Sequence, residues 1–325
     1  MKRVQLGLIG CGWVSQFYGQ AVRQMADRCE WAWAADPNMG AAVKFCAANG
    51  GKPRTDFHGA TADAIILATP HHLHAPIYLE IAPSGVPVLI EKPLALSVAE
   101  ADQMIAARKG LLMVGYVNRY RAGPRALKAA LEGGCIGQPL FWDATQFCNL
   151  EGYVGGWLTR RATLGGGVFF SSTGHLLDLL MWFNGPVERI KLETARYRLA
   201  MEGEDTQLSV VRFQNGSLAT LRESWCARGA TKWQTVRVFG AEGSLEMTYS
   251  PRGPFLEGDK VPWDSRLVLQ RDNAAEQVLL EATGSFDFTG QLEHFLDCIQ
   301  QHRQPLTTAE SAREVIATIR TAERQ

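Results

Sequence analysis

The stretch Val4-Gln5-Leu6-Gly7-Leu8-Ile9-Gly10-Cys11-Gly12-Trp13-Val14-Ser15 decides how the rest of the chain is read. Val4 to Ile9 is a short apolar run, the pattern of a strand buried on both faces of a parallel sheet. From Val14 the period changes: Val14, Phe17, Tyr18, Ala21, Val22 and Met25 fall on one face of a helix. Gly10 permits a tight turn between the two, and Gly12 lets backbone approach a pyrophosphate resting on the helix N-terminus. Cys11, Trp13 and Val14 share that turn and are assigned with the glycines to cofactor binding. Ser15 stands at the third glycine position and is small enough for close helix–strand packing.

A glycine pattern alone is a weak signal, so its surroundings decide. A second short strand, Trp31-Ala32-Trp33-Ala34-Ala35, ends at Asp36, 24 residues after Gly12. That is close to the spacing at which a carboxylate meets the adenosine ribose hydroxyls. Asp36 would repel the 2′-phosphate of NADP, and Pro37-Asn38 brings no arginine to offset it, so NAD is the expected cofactor.

With 325 residues, two domains and a large core are expected. Lys and Arg total 33, as do Asp and Glu, so nothing points to a nucleic acid or an anionic membrane surface. Seven scattered cysteines without a CxxC pair read as reduced thiols of a cytoplasmic protein. Met1-Lys2-Arg3 runs straight into the first strand, leaving no room for a signal peptide, and no run is long enough to span a membrane.

Along the chain, Met39–Ala48 reads as a helix, Ala64–Ala68 as a third strand and Val86–Ile90 as a fourth. Ser97 and Glu100 form a capping box for a helix to Lys109, and Leu111–Gly115 is a fifth strand. Strands alternating with helices predict a doubly wound α/β parallel sheet over residues 1–120, with ligands beyond the strand C-termini. Over 121–325 the runs lengthen. Val187–Leu199, Gln207–Phe213, Ser217–Trp225 and Gln234–Phe239 read as strands, with Asn215-Gly216 a hairpin turn. Helices are expected at Ser172–Phe183, Phe286–Gln301 and Thr308–Glu323. The second domain is therefore predicted to be α+β on a large, mostly antiparallel sheet.

Glu91-Lys92-Pro93, at the end of the fourth expected strand, carries a resemblance to the Gfo/Idh/MocA oxidoreductases over nearly the full length. Supporting segments are Ile9–Gly12, Ala68-Thr69-Pro70-His71-His72-Leu73-His74, Val114–Tyr120, Gly134–Gly137 and Gly165–Asp178. The resemblance implies a Rossmann domain, a second open-sheet domain that mediates homodimer or homotetramer contacts, and NAD(P)-dependent oxidation of a sugar or cyclitol hydroxyl. It also places Thr69, Pro70, His71, His74, Glu91 and Lys92 at the cofactor. Such chemistry needs a proton acceptor and a cation for the developing alkoxide. Lys92 suits the cation, and His175 suits the acceptor, because imidazole is the side-chain type whose ordinary range lies near operating pH. Asn118, Arg119, Trp157, Arg160, Arg161, Ser171 and His175 are candidates for the substrate pocket. Relatives often carry an aspartate where this chain has Ser171; from there it would face His175 across one helical turn. His71, His72 and His74 lie within four residues, but no acid or cysteine at ligand spacing accompanies them, so no metal is expected. Two other functions fit the same resemblance: a redox-assisted lyase or glycosidase that reuses tightly held NAD, and a non-catalytic NAD-binding regulator. The presence of Lys92 and His175 weighs against the regulator.

Overall fold

The computed structural model of the chain describes residues 3–253, 261–286 and 288–324. Two compact units result, Met1–Val117 with Asp287–Glu314, and Asn118–Phe286 with Val315–Gln325.

The first unit is built from β1 (Val4–Ile9), α1 (Ser15–Gln24), β2 (Cys29–Ala35), α2 (Met39–Asn49), β3 (Lys52–Arg54), β4 (Ala64–Leu67), α3 (His74–Ile81), β5 (Val88–Ile90), α4 (Val98–Ala107) and β6 (Leu112–Val114). Its six strands are all parallel in the order β3-β2-β1-β4-β5-β6. This is the doubly wound sheet expected, with one strand more. Sequence reasoning missed β3 because its three residues are exposed or half-buried and show no apolar period. At the sheet edge Pro53 costs no ladder bond, which is where proline is tolerated. Strands β4, β5 and, at the other edge, β6 are buried throughout, so their unbroken apolar runs follow from cover on both faces.

The second unit holds α5 (Ala122–Glu132), β7 (Pro139–Phe147), α6 (Arg161–Leu164), α7 (Val168–Ser171), α8 (Thr173–Asn184), β8 (Val187–Ala195), β9 (Thr206–Phe213), β10 (Leu218–Ser224), β11 (Gln234–Gly240), β12 (Gly243–Pro251), β13 (Trp263–Gln270) and β14 (Gln277–Gly284). The eight strands lie in the order β14-β13-β12-β11-β7-β10-β9-β8. Only β7 and β10 run parallel, and the other pairs are antiparallel. One face buries Trp142, Val211, Phe213, Leu221, Val236, Val238 and Leu245. Helices α5 and α8 pack on the sheet, and the Trp142 ring stacks on Phe183 at 5.8 Å. Burying side chains of this size contributes about 1.5–3 kcal/mol each. Phe141, Leu208, Val210, Leu218 and Phe239 are exposed instead, with Phe141 paired between Leu218 and Phe239. Strand β8 stops at Ala195, short of the expected Leu199. The N–H groups of Tyr197, Arg198 and Leu199 turn away from the ladder and donate to the Asp205 carboxylate.

The expected division at residue 120 falls at Val117, and the expected second domain gives up residues 287–314 to the first unit. There α9 (Thr289–Gln301) packs on α1: Phe288 stacks on Phe17 at 5.3 Å and meets Tyr18 edge-on at 4.9 Å. Arg28 pairs with Asp297 at 2.7 Å. These are long-range contacts, invisible to a local period. The last helix, α10 (Ala309–Ala322), contains the division at Glu314. Among the described residues no helix is long and apolar enough to cross a membrane.

Candidate active site

In the first unit, backbone geometry makes the site. Gly10 has φ +96°, and a Cβ there would lie 2.4 Å from the Ala68 carbonyl oxygen, so only glycine fits. Gly12 faces the other way: a Cβ on it would meet nothing within 4 Å, leaving open backbone at the start of α1. No side chain caps that helix, whose first N–H groups and dipole favour an anion. Ser15 Oγ donates to the Gly12 carbonyl at 2.6 Å, which ties the turn to the helix. Cys11 N–H donates to Asp36 Oδ2 at 2.9 Å, and Asn38 N–H to Oδ1 at 2.8 Å. The Asp36 carboxylate is thus fixed at the end of β2 beside the glycine turn. Burial, with the Asp36 charge behind it, pushes the Cys11 thiol up to about 12, so it stays neutral.

Strand β3 changes one expectation. Asp36 N–H donates to the Arg54 carbonyl at 3.1 Å, so an arginine does lie beside Asp36. Its guanidinium is engaged with the carbonyls of Asp56 and His58 at 3.0 and 2.8 Å.

The turns after β4 and β5 are fastened to each other. His74 is wholly buried, with Nδ1 2.7 Å from the Pro93 carbonyl and Nε2 3.0 Å from that of Thr69. Burial pushes its imidazole down to about 4. The ring shapes the two turns and offers no surface to a dinucleotide, unlike the contact expected of it. Thr69 Oγ1 and His72 Nδ1 are buried without a partner, polar atoms that a bound ligand could satisfy. His71 is buried and opens the short turn ahead of α3. Among the described residues no three His, Cys, Asp or Glu side chains converge as metal ligands.

Lys92 emerges half-buried at the end of β5, and its peptide bond to Pro93 is cis. Glu91 points inward rather than to a cofactor. Its Oε1 accepts from Tyr18 Oη at 2.7 Å, and its Oε2 from the Lys92 N–H at 3.2 Å. Gln291 Nε2 donates in turn to Tyr18 Oη at 2.9 Å. Burial pushes the Glu91 carboxyl up, against the opposing pull of Tyr18 and Lys92. Sequence reading missed this chain: Tyr18 lay on an apolar helix face, and Gln291 sits 200 residues from Glu91.

The second unit relies on side chains. Arg119, expected at substrate, is buried and bidentate to Asp178, with Nε–Oδ2 2.8 Å and Nη2–Oδ1 2.6 Å. It anchors α8 and is not free for a ligand. Asn118 is buried, its Oδ1 accepting from Arg121 while Nδ2 has no hydrogen-bond partner. His175 is half-buried in the first turn of α8. That helix starts at Thr173, and the His175 N–H donates to Ser172 O at 3.0 Å. Buried Ser171 instead closes the separate helix α7, so the continuous turn expected from Ser171 to His175 is interrupted. What sets the junction is Glu223, fully buried on β10. It accepts from Ser172 Oγ, from Thr173 Oγ1 at 2.7 Å and from Gln146 Nε2 at 2.7 Å. Gln146 is held by Gln234 at 3.0 Å. No local signal marks Glu223. Trp157 lies in the turn Gly156–Thr159, its carbonyl accepting from Thr163 Oγ1 at 2.6 Å. Arg161 clamps Glu202 and Glu204, whereas Arg160 is exposed with no ion-pair or hydrogen-bond partner for its guanidinium among the described residues.

The open Gly12 backbone, the uncapped α1, the fixed Asp36 and the unpartnered Thr69 hydroxyl fit a dinucleotide. The sequence profile of the GFO_IDH_MocA oxidoreductase family, NAD-binding Rossmann fold, matches residues 4–116. That of the GFO/IDH/MocA C-terminal domain matches residues 125–246. The 1,5-anhydro-D-fructose reductase of Ensifer adhaerens is 29% identical over 266 residues, 79% of this chain and 75% of that protein. The D-apiose dehydrogenase of Paraburkholderia graminis is 29% identical over 305 residues, 82% and 77% of the respective chains. The WlbA dehydrogenase of Bordetella pertussis, solved with NADH and UDP-GlcNAcA, has a TM-score of 0.82 and 23% identity. That match covers 100% of this chain and 97% of that one, and is a likeness of fold.

Proposed function

The chain belongs to the Gfo/Idh/MocA family of NAD-binding oxidoreductases, and from that premise we propose that it transfers a hydride between NAD and a secondary hydroxyl of a sugar or cyclitol. The observation that carries the reading is Lys92: a half-buried lysine at a strand end, its backbone N–H donating to the buried Glu91 carboxyl group, on a unit whose glycine turn fits a dinucleotide. When bound, the nicotinamide supplies the hydride acceptor for oxidation and the donor for reduction. Lys92 stabilises the substrate oxygen as negative charge develops on it, an effect realised mainly in the transition state. His175 takes the hydroxyl proton in oxidation and returns it in reduction. Asp36 holds the adenosine ribose hydroxyls and disfavours a 2′-phosphate, because the Arg54 guanidinium is already engaged by two carbonyls. The exposed apolar row of Leu218, Phe141 and Phe239 supports a homodimer or homotetramer formed through the open sheet face.

The test is to incubate the protein with NAD and a panel of sugars and cyclitols, following the absorbance of reduced nicotinamide. Turnover of at least one compound, slowed about 10²–10³-fold in Lys92→Ala, is expected. Absence of turnover in both directions, with NAD bound, would favour the regulator.

A further inference from the structure

The segment between β8 and β9 is a fixed loop that carries Arg196 and Arg198 beside Glu202, Glu204 and Asp205. Asp205 accepts from the N–H groups of Tyr197, Arg198 and Leu199 at 3.0, 2.8 and 3.0 Å. Glu202 N–H donates to the Thr159 carbonyl at 2.8 Å, and Arg196 Nη1 to the Met201 carbonyl at 2.6 Å. Against this loop opens a cleft of about 550 Å³ lined by Thr159, Arg160, Arg196, Tyr197, Arg198 and Glu202. Three guanidinium groups there meet one carboxylate, in a chain whose formal net charge is zero. Glu202 already accepts from the Arg161 N–H at 2.9 Å. Arg198 lies 3.6 Å from Glu151, which Arg228 approaches more closely at 2.6 Å. Arg160 has no ion-pair partner among the described residues.

We propose that this cleft is an anion-binding site that takes a phosphoryl or carboxylate group. Arginines that share one cleft repel one another until an anion joins them, and their planar forks match bidentate oxyanions. The volume lies within the roughly 300–1,000 Å³ of small-molecule sites, enough for a sugar acid or sugar phosphate. Tyr197, 72% exposed, offers a flat wall for a ring. The anion comes either from an anionic sugar substrate, which rests on the hydride-transfer reading, or from a free anion in solution.

Titration calorimetry on the full chain tests it, with inorganic phosphate, D-glucuronate and D-glucose 6-phosphate as probes and D-glucose as the neutral control. The anions are expected to bind. Arg160→Gln should weaken them about tenfold, and adding Arg198→Gln should weaken them further. Glu202→Gln should tighten them several-fold by removing the one acid of the lining. Unchanged thermal melting and NADH binding would show that the variants fold. If the anionic sugars bind more tightly than phosphate and are turned over with a KM that rises in Arg160→Gln, the anion belongs to the substrate. If phosphate binds as well as they do, it is a free anion. Binding without any turnover leaves the site standing and counts against the hydride-transfer reading. No anion binding, or binding unchanged in the double arginine variant, overturns the site even if neutral sugars are turned over.

Discussion

The strand-end turns of the first unit and the α7–α8 junction of the second hold their candidate catalytic groups by different means. In the first, the backbone does most of the holding. Gly10 fits only as glycine, Asp36 is fixed by two N–H groups, and His74 bridges two carbonyls. In the second, side chains far apart in sequence do it. Glu223 gathers Ser172, Thr173 and Gln146 from positions 51, 50 and 77 residues away, and Arg119 reaches 59 residues to Asp178. The turns should therefore tolerate side-chain truncation better than any change of backbone. The junction should show the reverse.

The largest effect is expected in the second region. Arg119→Leu leaves Asp178, which has no exposed surface, as an uncompensated buried charge. It should cost about 3–5 kcal/mol of stability in denaturant unfolding. A loss below about 1 kcal/mol would show that the pair does not anchor α8. Next comes Lys92→Ala. It should lower kcat by about 10²–10³-fold while NADH affinity and stability stay near wild type. An equal loss of stability would make Lys92 a structural residue and erase the contrast. Asp36→Asn should narrow a preference for NAD over NADP of roughly 10²-fold, measured by calorimetry with both cofactors. Equal affinities in the wild-type protein would count against Asp36.

The smallest effect is expected where the first region does use side chains. Tyr18→Phe removes a donor from the buried Glu91 and should cost about 1–3 kcal/mol. It also has a pH signature. Because burial raises the Glu91 carboxyl above its unfolded value, the folded protein holds the extra proton. This contribution is full below the ordinary glutamate range and is lost as pH rises through the raised value. Glu91→Gln should flatten that fall, measured as unfolding free energy against pH. An unchanged slope would mean Glu91 is not its source.

The same contrast explains what was legible in the sequence. The glycine turn and the place of Asp36 at the end of β2 were readable because their geometry depends on neighbours in the chain and on residue types with few conformations. Strand β3 escaped because an exposed three-residue edge has no period, and with it went the arginine beside Asp36. Arg119, Glu91 and His74 were expected at substrate or cofactor, and each is taken up by partners inside its own unit that no local signal marks. Glu223 and Gln291 were not seen, since their partners lie 50 to 77 and 273 residues away. The helix break at Ser172 likewise reflects that network more than local propensity.

The most direct test of hydride transfer uses NADH carrying deuterium at one face of nicotinamide C4, with a keto sugar or keto cyclitol that the protein reduces. Mass spectrometry and NMR of the product should find deuterium on the new carbinol carbon from one face only, with labelled product forming about 10²–10³-fold more slowly when Lys92 is replaced by alanine. Oxidation of NADH that leaves the product unlabelled from either face would contradict the account.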